Sequence, residues 1–186
     1  MPTYDKGTVV FCDLDGTLFD DRARLPLLPD NSLPPAEQDF SAYHMNLASD
    51  PLVTNVAEWI AAGPYPNWCY FLTSRPATLR NRTRYQIHKH LGKPRDCGIN
   101  TIMHNPTDYH ECGDYKCERI ANFIRTKKFS FPRYSKIIVL DNTLSVHEKI
   151  LKNLQPMDDK IELTLILVTM NETSPIANFY SIIPTG

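Results

Sequence analysis

The stretch from Thr8 to Phe19 constrains the fold of this chain more than any other part of the sequence. Its first residues, Thr8 to Cys12, form a β-branched and aromatic run that predicts a buried strand. Asp13 and Asp15 follow at once, and residues two apart in an extended chain point to the same side. Two carboxylates this close repel one another unless a cation or a shared proton relieves them. The stretch therefore predicts either a charged site at the end of a strand or an ordinary Asp-Gly turn.

Short apolar runs alternate with helical patterns along the rest of the chain. Asp50-Pro51 is typical of a helix start, with an N-cap acid before a proline, and Ser145 to Glu148 is typical of a capping box. Strands that alternate with helices predict an α/β fold, with a mainly parallel sheet and helices on both faces. The later predicted strands are 68–72, 98–103, 135–140 and 162–168, and the predicted helices are 35–48, 52–62, 76–91, 114–125 and 145–154.

Length and composition narrow the class of protein. A chain of 186 residues favours one domain, and we assign residues 1–186 to it, with the proline-rich segment 20–48 as a small cap or loop insertion. A net charge of −1 gives no overall electrostatic attraction to nucleic acid. The five cysteines are an odd number, which argues against a disulfide framework and favours a reducing compartment. No apolar run approaches the roughly 18 residues of a membrane span, so a cytoplasmic protein without membrane contact is expected.

Three more polar residues stand where predicted elements begin or end. Thr73 follows the second strand, Lys116 lies near the start of a later helix, and Asp141 follows the fourth strand. In a doubly wound sheet these positions share one edge, so they should converge on Asp13 and Asp15. Carboxylates suit Mg²⁺, a hydroxyl at a helix start can take phosphoryl oxygens, and a lysine offsets their charge. Each residue alone also has an ordinary structural explanation, but the set predicts phosphoryl transfer.

The string Asp13-Leu14-Asp15-Gly16-Thr17-Leu18, followed in order by Thr73, Lys116 and Asp141, resembles the motifs of the haloacid dehalogenase superfamily of phosphohydrolases. The resemblance covers residues 8 to about 155. It implies a three-layer Rossmann-like fold with a minimal cap or none, and Mg²⁺ as the cofactor.

The same resemblance implies a role for each matched residue. Asp13 would be the nucleophile that forms an aspartyl-phosphate, and Asp15 the general acid and base. Asp13, Asp141 and the backbone carbonyl of Asp15 would hold the Mg²⁺ ion, while Thr73 and Lys116 would hold and stabilise the phosphoryl group. The remaining residues predicted to bind substrate are Gly16, Thr17, Ser74, Arg75 and Asn142.

More narrowly, the chain resembles the small phosphatases related to the phosphatase domain of phage polynucleotide kinase. The similarity lies in the helix at 52–62, in Thr73-Ser74-Arg75, and in the loop Met103-His104-Asn105-Pro106. Two features depart from the pattern. Asn142 stands where many relatives carry a second acid, which removes one negative charge from the metal site, and His104 or Asn105 replaces an arginine that is common in the loop.

These features favour a Mg²⁺-dependent phosphomonoesterase that acts on nucleotides, since the segments between the motifs are too short for a large cap that would enclose a small metabolite. A phosphatase acting on the 3′ end of DNA or RNA is the alternative within the same chemistry, because the helix after Thr73 is strongly basic. A non-catalytic binding protein that keeps the fold is the alternative of another class. The sequence leaves the oligomeric state open.

Overall fold

The computed structural model describes residues 7–34, 37–63, 69–91, 100–104, 112–127, 134–154 and 161–182. In this part of the chain six strands form a single sheet in the order β3-β2-β1-β4-β5-β6. The strands are β1 (Thr8–Cys12), β2 (Cys69–Pro76), β3 (Asn100–His104), β4 (Lys136–Asp141), β5 (Glu162–Met170) and β6 (Ala177–Ile182).

Helices connect these strands. They are α1 (Ser41–Met45), α2 (Thr54–Ala61), α3 (Arg80–Leu91), α4 (Cys112–Lys127) and α5 (Leu144–Leu154), with short 3₁₀ helices at Arg22–Leu27, Leu47–Ser49 and Ala77–Leu79. None of the helices in the described ranges combines the length and the apolar character that crossing a bilayer requires.

Strand β1 lies in the middle of the sheet and pairs with a strand on each side. Cys12 pairs with Phe71 of β2 on one side and with Leu140 of β4 on the other, and both pairings are parallel. The order of the strands therefore reverses at β1, since β2 and β3 lie on one side of it and β4, β5 and β6 on the other. In open α/β sheets this switch point, at the carboxyl ends of the strands, is where ligands bind.

The two faces of the sheet are each covered by helices. Alternate residues of β1 enter different apolar clusters, because successive side chains of a strand point to opposite faces. Val10 and Cys12 pack with α2 and α3, while Val9 and Phe11 pack with α4 and α5. Each fully buried side chain of this kind contributes roughly 1.5–3 kcal/mol. The predicted α/β architecture with a mainly parallel sheet is confirmed.

The predicted helix at 35–48 is wrong in extent. Residues 35–36 lie outside the described residues, and within the remainder only Ser41–Met45 is α-helical, followed by the 3₁₀ turn Leu47–Ser49. Tyr43 and Leu47 are buried, whereas Phe40 remains 38% exposed. The segment gains its fixed position from contacts of Tyr43 and Leu47 with the rest of the protein, so a longer helix is not needed.

The predicted helix start at Asp50-Pro51 is also wrong. Helix α2 begins at Thr54, and Val53 occupies the capping position without a side-chain cap. The Asp50 carboxylate instead accepts hydrogen bonds from the guanidinium of Arg24, at 2.8 Å from Nε. Both groups in this contact are charged, whereas the backbone N–H groups of a helix start are neutral.

Among the other differences from prediction, two concern element boundaries and one is a missed strand. Strand β2 continues to Pro76, four residues beyond the predicted end at Leu72, with a register shift against β3 between Thr73 and Pro76. Helix α5 begins at Leu144, so Ser145 lies inside its first turn and is not its cap. Strand β6 was not predicted; it pairs antiparallel with β5 at the edge of the sheet.

Candidate active site

Asp13 directly follows β1, at the carboxyl end of the pair formed by β1 and β4. Its backbone N–H donates to Leu140 O at 2.9 Å, which continues the pairing of the two strands one residue past the end of β1. Asp13 is 7% exposed and Asp141, at the end of β4, is 1% exposed. The parallel pairing of two neighbouring strands therefore brings the first and the last predicted carboxylates to the same edge.

Lys116 joins these two carboxylates. Helix α4 carries Lys116 into the site, where Nζ lies 2.9 Å from Asp13 Oδ1 and 2.7 Å from Asp141 Oδ2. The second oxygen of Asp141 accepts a hydrogen bond from the backbone N–H of Thr143 at 2.9 Å. The ammonium and both carboxylates are buried. The sequence predicted that Asp13, Lys116 and Asp141 would lie close together, and in the structure they do.

The charges in this cluster do not balance, because it contains two carboxylates and one ammonium. Burial raises the pKa of Asp13, Lys116 lowers it, and repulsion from Asp141 raises it again, to a net value of about 7. Asp13 therefore holds its negative charge weakly in the absence of a further cation. A cation that binds between Asp13 and Asp141 would relieve the repulsion.

Asp15 has the opposite electrostatic environment. Arg75 donates to it from Nε at 2.8 Å and from Nη2 at 2.7 Å, and Arg24 donates from Nη2 at 2.5 Å. Burial raises the pKa of Asp15, but the two guanidinium groups outweigh burial and lower it to about 2. Asp15 is therefore held as a carboxylate, and it can carry a proton only when these ion pairs loosen.

Arg24 is a site residue that the sequence reasoning missed. It is 1% exposed, and besides Asp15 it contacts the Asp50 carboxylate and donates to Tyr43 O at 3.0 Å. The guanidinium also lies 4.0 Å from the centre of the Tyr43 ring. Arg24 thus ties the segment predicted as a cap or loop insertion to Asp15. The sequence shows only a charged residue in a proline-rich stretch, which gives no signal of burial.

Arg75 also reaches helix α3, which packs beside the site. Its Nη1 donates to Gln86 Oε1 at 2.8 Å, and Gln86 Nε2 in turn donates to Leu47 O. Arg75 is 1% exposed, so the side chain predicted to bind substrate is a buried connector in this structure. It links Asp15 to α3 and, through Gln86, to the 3₁₀ turn at Leu47–Ser49.

Thr73 and Ser74 lie in the irregular last part of β2. The Thr73 hydroxyl accepts a hydrogen bond from the Arg75 N–H at 3.2 Å, and Thr73 is 1% exposed. Ser74 is exposed. Bulges and register shifts are common next to active sites, where they redirect a side chain. Thr73 therefore lies at the predicted edge of the sheet, and its hydroxyl faces the backbone N–H of Arg75.

Gly16 is the turn residue that the sequence places after Asp15. Its backbone φ is +76°, and a Cβ built on it would lie 2.1 Å from Asn142 Nδ2. Glycine therefore suits the left-handed backbone, and an added Cβ would also force the exposed Asn142 side chain to move. Asn142 itself is exposed, whereas Thr17 is fully buried and its hydroxyl has no hydrogen-bond partner in the described part of the chain.

Replacing Gly16 with Ala should lower the free energy of unfolding by about 1–3 kcal/mol, because the new Cβ disfavours the left-handed backbone at this φ of +76°. Urea denaturation measures the change. Gly63, whose φ is not positive, is the matched control, and its replacement by Ala should change stability by less than about 0.5 kcal/mol. Equal effects at the two positions would contradict the assigned conformation of Gly16.

His147 is a second residue that the sequence reasoning did not single out. It is fully buried on α5, and its Nε2 donates to the backbone carbonyl of Asp141 at 3.0 Å. Burial lowers the pKa of His147, so the ring is neutral. The hydrogen bond fixes the backbone at Asp141 and so contributes to the position of its carboxylate.

The oxygen atoms at this edge suit Mg²⁺. Mg²⁺ is commonly bound by one or two carboxylates while it keeps several waters. The described residues contain no cluster of three or more metal-binding His, Cys, Asp or Glu side chains, and the predicted set needs only the carboxylates of Asp13 and Asp141 with the Asp15 carbonyl. The unbalanced charge of Asp13 and Asp141 is the feature of this structure that fits a divalent cation.

Comparisons of the chain with protein-family models, with curated proteins and with solved structures gave no match. The functional assignment below therefore depends on the motifs and on the geometry of these residues.

Proposed function

We propose that this chain is a Mg²⁺-dependent phosphomonoesterase of the haloacid dehalogenase type, which dephosphorylates nucleotides through an aspartyl-phosphate on Asp13. The observation that carries the proposal is the contact of Lys116 with both Asp13 and Asp141, at the switch point of the sheet and next to Asp15. A lysine between two buried carboxylates matches the charge pattern that phosphoryl transfer requires.

The proposed reaction has two displacements at phosphorus. In the first, a carboxylate oxygen of Asp13 attacks the phosphorus atom, the bond to the ester oxygen breaks, and that oxygen takes a proton from Asp15. In the second, water attacks the same phosphorus, its proton passes to Asp15, and the bond to Asp13 breaks to release phosphate. Mg²⁺, held by Asp13, Asp141 and the Asp15 carbonyl, would supply positive charge against the phosphoryl oxygens.

The proposed proton transfer from Asp15 depends on the ion pairs that Asp15 forms with Arg24 and Arg75. Both donate to the Asp15 carboxylate, which keeps Asp15 charged. The first displacement needs a protonated Asp15, so at least one of these ion pairs has to loosen when substrate binds. An anionic phosphate is a competing partner for either guanidinium.

The proposed substrate is a nucleotide because the site has a partly accessible side. The Asp15 side chain is 17% exposed, more than the side chains of Asp13 at 8% and Asp141 at 1%. The leaving group would therefore extend past Asp15 toward the surface. A ligand with a large leaving group suits this arrangement better than a metabolite that must be enclosed.

A phosphate-release assay on purified protein tests the proposal. The panel contains 5′- and 3′-mononucleotides and oligonucleotides with a phosphate at either end, each with Mg²⁺ and with a chelator. We expect release with Mg²⁺, loss of release with the chelator, and recovery when Mg²⁺ is restored. Absence of release from every substrate in Mg²⁺ would contradict the enzyme assignment and favour the non-catalytic binding protein.

Replacing Asn142 with Asp should tighten Mg²⁺ binding about tenfold, because it restores one carboxylate beside Asp141 and Mg²⁺ affinity rises with ligand charge. Isothermal titration calorimetry measures the dissociation constant. Asn153 is a matched control, since it is exposed near the far end of α5, and its replacement by Asp should leave Mg²⁺ affinity unchanged. Equal affinities for the Asn142→Asp variant and the wild type would exclude Asn142 from the metal site.

A further inference from the structure

The segment between β1 and α2 exposes apolar side chains that neither the core nor the proposed chemistry uses. Of the ten large apolar side chains that are exposed in the described part of the chain, six lie in this segment, with exposed fractions from 38% to 67%. They are Leu25, Leu27, Leu28, Leu33, Phe40 and Met45. Scattered apolar side chains are ordinary on a surface, whereas a concentration of them marks a site of contact with another molecule.

The charged side chains among these apolar residues have a single sign. Residues 25–45 include Asp30, Glu37 and Asp39 but no lysine or arginine. Glu37 and Asp39 are both exposed and come shortly before the exposed ring of Phe40. This part of the surface is therefore apolar and acidic, and it suits a partner that is apolar and basic. We define the acidic face as Leu33, Glu37, Asp39, Phe40 and Met45.

Helix α3 of the same chain has the complementary character. Its sequence, RNRTRYQIHKHL, contains three arginines, one lysine, two histidines and no acid. Arg82 and Lys89 are exposed, and the Tyr85 ring is 58% exposed. These three residues are spaced three and four positions apart, so they share one side of the helix. We define the basic face as Arg82, Tyr85 and Lys89.

The two faces are neighbours within one copy of the chain, yet they do not neutralise each other. Arg82 Nη2 donates to the backbone carbonyl of Met45 at 3.3 Å, which places the two faces side by side. No residue of either face forms an ion pair within the described part of the chain. The opposite charges of the two faces are therefore available to a second molecule.

We infer that two copies of this chain associate about a two-fold axis, with the acidic face of each copy against the basic face of the other. A two-fold interface is self-complementary, because each residue meets the same partner in both directions. One chain that carries two adjacent faces of opposite charge fulfils this condition with a second copy of itself. The inference goes beyond the proposed function and does not depend on it.

The acidic face is held in place before association. Arg24 joins its segment to Asp15 and Asp50, and Gln86 donates to the backbone carbonyl of Leu47, just beyond the face. A surface that is already ordered loses less conformational freedom on binding. The net charge of −1 also gives little overall repulsion between two copies. Both conditions favour association.

Sedimentation equilibrium at low ionic strength measures the association of the purified chain. Interfaces of standard size bind in the micromolar range or more tightly, so a chain concentration of about 100 μM is sufficient. We expect the wild type to sediment with twice the mass of one chain, and its dissociation constant to rise with added salt, which screens exposed charges. Met45→Ser should raise the dissociation constant several-fold, because it removes apolar surface from the acidic face.

Charge reversal tests whether the acidic face meets the basic face. The Glu37→Lys/Asp39→Lys variant and the Arg82→Glu/Lys89→Glu variant should each raise the dissociation constant about tenfold or more, because like charges then face one another across the interface. An equimolar mixture of the two variants should form a mixed dimer. Each of its two contacts again joins opposite charges, since the reversed face of one variant meets the reversed face of the other.

Lys152→Glu is the matched control, because Lys152 is an exposed lysine in the last turn of α5, which packs on the other face of the sheet. This variant should associate as the wild type does. Thermal melts check that each variant folds, and a double variant that does not fold is replaced by Glu37→Lys or Lys89→Glu alone. The inference is overturned if the wild type is a monomer, if either charge-reversed variant associates as the wild type does, or if the mixture stays monomeric.

Discussion

Replacement of Asp13 by Asn is expected to reduce phosphate release by roughly 10³–10⁶-fold, the range seen when a catalytic nucleophile is removed. An amide oxygen is a poor nucleophile for phosphorus. The variant also loses the negative charge that faces Lys116 Nζ at 2.9 Å. A coupled phosphate assay under saturating Mg²⁺ measures the loss for the best substrate of the panel.

The Asp13→Asn variant should still fold, because Lys116 keeps its ion pair with Asp141 at 2.7 Å. A thermal melt within a few degrees of the wild type checks this expectation. Asp30→Asn is the matched control, since Asp30 is exposed and its carboxylate accepts a local hydrogen bond from Ser32 N–H. Its turnover should equal that of the wild type. Full turnover in a folded Asp13→Asn variant would exclude Asp13 as the nucleophile.

The second large effect concerns stability. Arg24→Met should lower the free energy of unfolding by about 3–5 kcal/mol, the cost of breaking a buried ion pair from one side. Arg24 is 1% exposed, and its removal leaves the buried Asp50 carboxylate without its cation. Methionine keeps much of the apolar volume, so the loss reports mainly on charge. Urea denaturation provides the measurement.

Lys136→Met is the control for Arg24→Met. Lys136 pairs with Glu162 at 2.6 Å, and the Glu162 side chain is 62% exposed. Exposed ion pairs contribute about 0–1 kcal/mol, so this variant should differ little from the wild type. Similar losses in both variants would contradict the buried connection from Asp15 through Arg24 to Asp50.

The sequence predicted the central elements well, because their signals are local. Strand β1 occupies Thr8–Cys12 as predicted, and β4 begins within one residue of prediction, since both are short apolar runs bounded by polar residues. The positions of Asp13, Lys116 and Asp141 followed from the rule that strand ends and helix starts share an edge in parallel sheets. These inferences need no knowledge of distant contacts.

The features that sequence reasoning missed depend on contacts between distant residues. Arg24 and Asp50 are 26 positions apart, and each was assigned an ordinary local role in a loop or a helix cap. The pKa of Asp15 depends on Arg24 and Arg75, which converge only in the folded chain. Strand β6 was missed because its burial is interrupted along its length, as is usual for an edge strand.

Trapping the covalent intermediate tests the proposed chemistry most directly. The wild-type protein is mixed with Mg²⁺ and substrate, quenched with acid within the first turnovers, reduced with borohydride, and mapped by peptide mass spectrometry. We expect reduction of an acyl-phosphate at Asp13 to mark that residue in the wild type, and no mark anywhere in the Asp13→Asn variant. Steady phosphate release from a protein in which Asp13 is never modified would contradict the aspartyl-phosphate mechanism.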